Sequence, residues 1–142
     1  MVGGQTVDIL SEGRPPSEEL LDYIHRHKTG ALIRASVRMG ALAARASEAE
    51  TSALSRYGEC VGLAFQIADD ILDVTSSPEQ LGKATQKDLA RGKLTYPALV
   101  GLAEARRAAR RLTEEAVASL RGFGPEADLL RALARFVTER TQ

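Results

Sequence analysis

In the stretch Phe65-Gln66-Ile67-Ala68-Asp69-Asp70-Ile71-Leu72-Asp73, three aspartates interrupt an otherwise apolar run. Ile67, Ala68, Ile71 and Leu72 recur at helical spacing, which predicts a helix. On that helix Asp69, Asp70 and Asp73, with Gln66 one turn earlier, fall within an arc of roughly 100°. Like charges on one stripe repel, and these lie near the predicted helix end at Ser76-Ser77-Pro78, where the macrodipole is negative. No Lys, Arg or His occurs from Tyr57 to Gly82, so no side chain of the same helix pairs with them. A cation must come from elsewhere. A hard divalent ion that prefers carboxylate oxygens, keeps several waters and shares its shell with phosphate is the best candidate, and Mg²⁺ has those properties. A solvated acidic face is the ordinary explanation of acidic clusters, but it fits poorly beside four apolar neighbours.

The residues after the acids narrow the chemistry. Lys83, Lys87, Arg91 and Lys93 place four cations in a stretch built otherwise of turn and polar residues. An acidic stripe able to hold metal, succeeded by flexible ammonium groups, makes a composite site for a diphosphate, because lysine acts on phosphate oxygens as a mobile point charge. Each half alone is a weak signal; their adjacency in this order is more specific.

The run Phe65-Gln66-x-x-Asp69-Asp70-x-x-Asp73, then Gly82-Lys83, Asp88 and Gly92-Lys93-x-Thr95-Tyr96-Pro97, resembles the second aspartate-rich region of the trans-polyprenyl diphosphate synthases, which include the farnesyl and geranylgeranyl diphosphate synthases. Met1-Val2-Gly3-Gly4-Gln5-x-x-Asp8 is similar to that family's Gly-Gly-Gln segment, and His25-x-x-Lys28-Thr29 to its Lys-Thr pair. The resemblance covers the whole chain in the family's order. It implies an all-α antiparallel helical bundle, part of the isoprenoid (terpenoid) synthase fold, with residues 1–142 as the C-terminal part of a single polyprenyl synthetase domain. The family's first aspartate-rich motif and its isopentenyl diphosphate grip are absent from this sequence.

The resemblance further implies a prenyltransferase that ionises an allylic diphosphate on Mg²⁺, adds isopentenyl diphosphate and loses a proton. Carried over residue by residue, Asp69, supported by Asp70 and Asp73, holds one Mg²⁺. Lys28, Thr29, Gln66, Lys83 and Lys93 contact the allylic diphosphate or its metal waters. Gln5, Asp8 and Phe65 are cavity groups or lie one layer behind the site. The complete enzyme is expected to be a homodimer, and this chain alone to be inactive.

Composition agrees with helices. Apolar residues make up 44% and aromatics 4%, with Ala and Leu carrying the apolar content, a balance that favours helix packing over sheet. Nineteen basic and nineteen acidic residues cancel, which argues against a nucleic-acid footprint or general attraction to anionic membranes. The single Cys60 excludes a disulfide framework and reads as a small buried hydrophobe. No apolar run reaches the roughly 18 residues of a membrane span, so the expectation is a soluble chain in a reducing cytoplasm.

Along the chain, residues 1–11 open inside an amphipathic pattern without a capping signal, as a helix cut in its middle would. Gly3-Gly4 there suggests close approach of another backbone or a ligand. Ser17 before Glu18-Glu19 predicts a helix start, with one helix running to about Ala46 over Leu20, Leu21, Ile24, Ala31, Leu32, Ala35, Met39, Leu42 and Ala43. A distortion before Gly30 would free a backbone amide beside Lys28 and Thr29. His25 and His27 have no carboxylate at ligand spacing and read as structural or exposed.

Ser47-Glu48-Ala49-Glu50 has the form of a capping box and opens the central helix, whose buried stripe is Leu54, Tyr57, Val61, Phe65, Ala68 and Leu72. Thr95 is a cap and Pro97 lies in a first turn; a helix from there to Leu120 has Arg110–Glu114 and Arg111–Glu115 as pairs four residues apart. A last helix spans about Pro125 to Glu139. Two rival functions and one bland reading stay beside this one. A non-catalytic partner of a full-length synthase would tolerate loss of the first motif, but has little reason to keep Gln66, Asp69, Asp70, Lys83 and Lys93 together. A terpene cyclase would mix Asn, Ser or Thr into its second metal site. A plain bundle with an acidic patch would need the whole ordered set to coincide.

Overall fold

The computed structural model describes residues 1–11, 13, 17–75 and 95–140. Regular structure among them is helical throughout, in the order α1 (Val2–Leu10), α2 (Glu18–His25), a π-helical turn (Arg26–Gly30), α3 (Ala31–Ala43) and α4 (Glu48–Thr75). Beyond residue 94 come α5 (Tyr96–Val100), α6 (Leu102–Ser119), a 3₁₀ turn (Pro125–Ala127) and α7 (Asp128–Glu139). The central helix α4 is the axis, packed mainly against α6 on one side and α3 on the other.

Two of the three expected N-caps form. The Ser17 hydroxyl accepts from the Leu20 amide at 3.4 Å, and in the Ser47 box the Ser47 amide donates to Glu50 at 2.8 Å while the Glu50 amide donates back to the Ser47 hydroxyl at 3.3 Å. These satisfy amides that have no intrahelical acceptor.

The buried surface of α4 is wider than a stripe, because neighbours cover it on more than one side. Tyr57, Cys60, Val61, Ala64 and Ala68 join Ala116 and Leu120 of the α6 end, Ala127, and Ala134 and Val137 of α7. Ile67 and Ile71 pack separately on Ala105, Ala108 and Ala109 of α6. Leu54, Phe65 and Leu72, expected in the core, are only half-buried. Cys60 is buried as expected, and burial pushes its thiol above the ordinary range. Among the described residues no helix is long and apolar enough to cross a membrane.

On the other side of α4, two glycines one turn apart replace apolar packing. A Cβ on Gly62 would lie 2.6 Å from the Gly30 Cα, and one on Gly58 would lie 2.9 Å from the Arg34 Cα. The backbones of α4 and of the π turn therefore touch directly. Gly4 of α1 closes the same turn from outside: a Cβ there would meet the Lys28 amide nitrogen and the His27 carbonyl. The close approach expected of the Gly3-Gly4 pair is thus real for Gly4, whereas Gly3 faces open space.

Two helix expectations are corrected. The helix predicted from Ser17 to Ala46 is interrupted by the π turn, which inserts one extra residue and rotates everything after it by about 100°. Leu21 and Ile24 are buried before the turn, but after it Ile33, Val37 and Ala41 face the core, while Leu32, Met39 and Leu42 are exposed. The predicted helix to Leu120 breaks at Gly101, whose φ of +83° is a glycine conformation, and Leu102 is exposed. The expected Arg111–Glu115 pair is replaced as well: Arg111 reaches Glu104 at 3.1 Å, and Glu115 accepts from Arg56 of α4.

Candidate functional site

Where α1, α2, the π turn and α4 meet, a cleft of about 150 Å³ opens. Leu21, Ile24 and Phe65 supply its apolar wall; Asp8, His25, Lys28, Thr29, Gln66, Asp69 and Asp70 supply the polar one. The π turn puts Lys28 and Thr29 on this wall, and the glycine contact holds them against the helix that carries Gln66 and Asp69. A π turn inside an otherwise α-helical run is a frequent device at functional sites.

The charges are arranged in pairs. The Lys28 ammonium donates to Asp8 Oδ2 at 2.7 Å, both half-buried. Adjacent aspartates part company on α4. Asp69 keeps 54% of its side chain exposed, and its nearest ion-pair partner is Arg140, 3.9 Å away. Arg140 follows the last residue of α7, and its guanidinium lies 5.0 Å from the centre of the Phe65 ring. Asp70 is only 8% exposed. Its Oδ2 accepts from the Tyr96 amide at 2.8 Å and lies 3.3 Å from His25 Nε2. That carboxylate therefore occupies the capping place at the start of α5 that was expected of Thr95, whose own side chain makes no cap bond.

Of the residues singled out from sequence, Asp8, Lys28, Thr29, Phe65, Gln66, Asp69 and Asp70 converge on this cleft. Gln5 does not: it is exposed on α1 and does not line the cleft. Asp73, half-buried, lies one turn beyond the cleft wall. Lys83 and Lys93 fall outside the described residues. His27 is exposed and stacked on Tyr23, with ring centres 4.0 Å apart, as its sequence context suggested. Sequence reasoning missed Arg140 and the Tyr96 amide, which only tertiary packing brings to the acids. It also undervalued His25, whose place four residues before Thr29 was its only signal.

The three aspartates do not form a chelating cluster. Among the described residues no group of three or more His, Cys, Asp or Glu side chains could together hold a metal ion. The reason is that Asp70 turns inward to His25 and Tyr96 while Asp69 turns outward. An exposed carboxylate with the hydroxyl of Thr29 and the amide oxygen of Gln66 on the same cleft is a hard-oxygen donor set. It suits Mg²⁺, which is bound by one or two carboxylates and completes its octahedron with water and substrate phosphate.

The family model described as polyprenyl synthetase matches residues 1–134. The chain belongs to the polyprenyl synthetase family. It is 45% identical over 146 residues to the farnesyl diphosphate synthase of Escherichia coli (strain K12), covering 100% of this chain and 49% of that protein. It is 44% identical over 144 residues to the chloroplastic geranylgeranyl pyrophosphate synthase 11 of Arabidopsis thaliana, covering 99% of this chain and 40% of that one. Among solved structures, a geranyltransferase from Helicobacter pylori complexed with magnesium and isoprenyl diphosphate superimposes with a TM-score of 0.76 at 35% identity, over 98% of this chain and 46% of that one.

The all-α isoprenoid synthase fold inferred from sequence is therefore correct. The chain spans somewhat under half the length of these relatives, and the matched shares do not bear out its placement as a C-terminal half. Nor do they bear out a cytoplasmic compartment, since the Arabidopsis relative is chloroplastic.

Proposed function

We propose that this chain forms one wall of the active site of a trans-prenyltransferase, the wall that receives the diphosphate of an allylic substrate, which is then elongated by isopentenyl diphosphate. The observation that carries the reading is the convergence of Lys28, Thr29, Gln66 and Asp69 on one cleft from two elements whose backbones touch. Those groups are the ones a leaving diphosphate requires.

Asp69, supported by Asp70 and Asp73, is assigned to magnesium. When bound, magnesium supplies charge neutralisation to the departing diphosphate. The chain's own groups do the rest. Lys28, relinquishing part of its contact with Asp8, donates to phosphate oxygens; Thr29 and Gln66 hydrogen-bond the same group or its waters. Lys83 and Lys93 are assigned the same task from the sequence alone. Phe65, Leu21 and Ile24 line the apolar side, where an isoprenoid chain is kept from water. Donors fixed before reaction stabilise charge that develops as the C–O bond breaks, because they need no reorganisation then.

The sequence contains one aspartate-rich motif, so a second must come from additional polypeptide for a two-sided metal clamp to form. The exposed apolar residues of α3 and α7, Leu32, Met39, Leu42, Leu129, Leu133 and Phe136, are assigned to contacts with that polypeptide or with the partner subunit of a homodimer. A direct test is a chimera in which this chain replaces the matched stretch of the E. coli enzyme. Mg²⁺-dependent elongation of an allylic diphosphate is expected, and its loss on Asp69→Ala or Lys28→Met. A folded chimera that binds both diphosphates but whose turnover is indifferent to Asp69 would overturn the assignment.

A further inference from the structure

We propose that His25 is a positioning residue: together with the Tyr96 amide it clasps Asp70, and this clasp sets the direction in which the neighbouring Asp69 meets metal and diphosphate. The proposal rests on the diphosphate reading and extends it to a residue that touches neither ligand. It also divides labour within the aspartate pair, with Asp69 facing the ligand and Asp70 fixing the frame.

Three observations carry it. First, Asp70 and His25 are both nearly buried, at 8% and 5% exposure. A carboxylate so placed is costly unless polar partners replace water. Its partners come from two other elements, His25 Nε2 on α2 at 3.3 Å and the Tyr96 amide opening α5 at 2.8 Å. One oxygen, Oδ2, thus ties three segments together.

Second, His25 is the last residue of α2, directly before the π turn, and Lys28 and Thr29 follow within that turn. The clasp therefore fixes the entry to the turn, while Gly62 and Gly4 fix its body. Through His25, the segment bearing the ammonium and hydroxyl is tied to the helix bearing Gln66 and Asp69. Third, His25 is a shared wall. It lines the diphosphate cleft and also a larger pocket of about 330 Å³, bounded by Leu63, Ile67, Tyr96 and Arg111. The His25 and Tyr96 rings stand 6.5 Å apart at 26° on that wall. Without the imidazole the wall that His25 gives to both is lost, water gains access to the Asp70 carboxylate, and the side chain is free to rotate away from Tyr96.

The groups that meet a ligand are Asp69, Gln66, Lys28 and Thr29, and partners one layer behind such groups typically alter metal affinity by about 10–100-fold when removed. The test compares His25→Ala, His25→Gln and Asp70→Asn in the chimera, using Mg²⁺ with inorganic pyrophosphate as the probe. Affinity is read by titration calorimetry and the Tyr96 amide by hydrogen exchange. His25→Ala is expected to weaken pyrophosphate binding by about tenfold at fixed Mg²⁺ and to shift the Mg²⁺ requirement upward, while speeding Tyr96 exchange by about tenfold. His25→Gln retains an N–H donor at similar reach and should recover most of both losses; Asp70→Asn keeps an oxygen for Tyr96 and should leave its exchange slow.

A His25→Ala protein that exchanges Tyr96 and binds Mg²⁺-pyrophosphate as the parent does would overturn the proposal. So would a well-folded His25→Gln protein that matches the alanine variant in both readouts, since the imidazole would then act by shape alone. Should the parent chimera fail to bind Mg²⁺-pyrophosphate, the diphosphate reading itself falls and the positioning role falls with it, although slow Tyr96 exchange would still report the clasp. If His25→Ala does not fold, the glutamine and asparagine variants decide.

Discussion

Replacing Gly62 by alanine tests the packing on which the site depends. In isolation the change should stabilise α4, since alanine exceeds glycine in helix propensity by about 1 kcal/mol. Here, however, the new Cβ would stand 2.6 Å from the Gly30 Cα, where carbon atoms need about 3.5–4.0 Å. The obstructing atom is backbone, so the π turn must retreat by about 1 Å. Overpacking of that kind costs about 1–3 kcal/mol, and a clash relieved only by moving backbone puts this site at the upper end. The net expectation is a loss of about 1–2 kcal/mol, or roughly 3–8 °C in melting temperature for a chain of this size. The same displacement moves Lys28 and Thr29 away from Gln66 and Asp69, and a misplacement of that size can cost about 100-fold in function. Urea unfolding at unchanged slope gives the stability term, and Mg²⁺-pyrophosphate titration gives the functional one. Gly40→Ala is the control: nothing lies within 4 Å of its Cβ, so the propensity gain should appear unopposed. A Gly62→Ala protein that melts at or above the parent temperature and binds Mg²⁺-pyrophosphate normally would refute the argument that these two backbones must touch.

Four further outcomes are expected. Asp69→Ala should leave metal-free stability within about 1 kcal/mol of the parent or raise it, because its Arg140 contact is long and its carboxylate exposed, while Mg²⁺-pyrophosphate binding falls at least about tenfold; a large loss in a metal-free melt would make the residue structural instead. Burial pushes the Tyr57 phenol up to about 12 from 10.0, so the neutral form is favoured in the fold; stability from this group is full below pH 10 and is lost as pH rises from 10 through 12, by about 2–3 kcal/mol. Tyr57→Phe, which removes the 2.7 Å bond to the Leu130 carbonyl, should cost about 1 kcal/mol at neutral pH and abolish that alkaline dependence in denaturant melts. The 142-residue chain alone should bind Mg²⁺-pyrophosphate weakly and turn over no isopentenyl or allylic diphosphate, measured by product extraction; turnover comparable with a complete synthase would defeat the half-clamp argument.

Much of the fold was legible because its signals are local. Ser17 and the Ser47–Glu50 box announce helix starts through side chains only three residues apart, and both form as expected. The apolar period of α4 survives in part: Tyr57, Val61 and Ala68 are buried, while Leu54, Phe65 and Leu72 are half-buried because neighbours cover the helix on more than one side. The stripe of α3 fails for a definite reason. A π turn adds one residue without changing the composition of the run, so Leu32, Met39 and Leu42 continue the period of Ile24 along the sequence while Ile33, Val37 and Ala41 take the core in space. Gly30 was visible as a point of distortion, but the partner that requires it, Gly62, lies on another helix.

The candidate site divides in the same way. Gln66, Asp69 and Asp70 share a helix, and Lys28 and Thr29 share a turn, so each group was readable as a unit; only packing brings the two groups into one cleft. The absence of a basic residue from Tyr57 to Gly82 implied that any counter-charge must come from outside that stretch. It could not say which protein groups meet the acids: Arg140 lies 3.9 Å from Asp69, and His25 Nε2 stands 3.3 Å from Asp70. Adjacent aspartates look interchangeable in a sequence, and a step of about 100° around the helix is enough to give them opposite environments. Both line the cleft, but Asp70 is turned to His25 and the start of α5 and loses its water, while Asp69 stays exposed and keeps it. Burial, more than residue type, therefore separates the carboxylate that can exchange water for metal from the one that holds the helix in place, and it is why the same substitution at positions 69 and 70 should be read on different instruments.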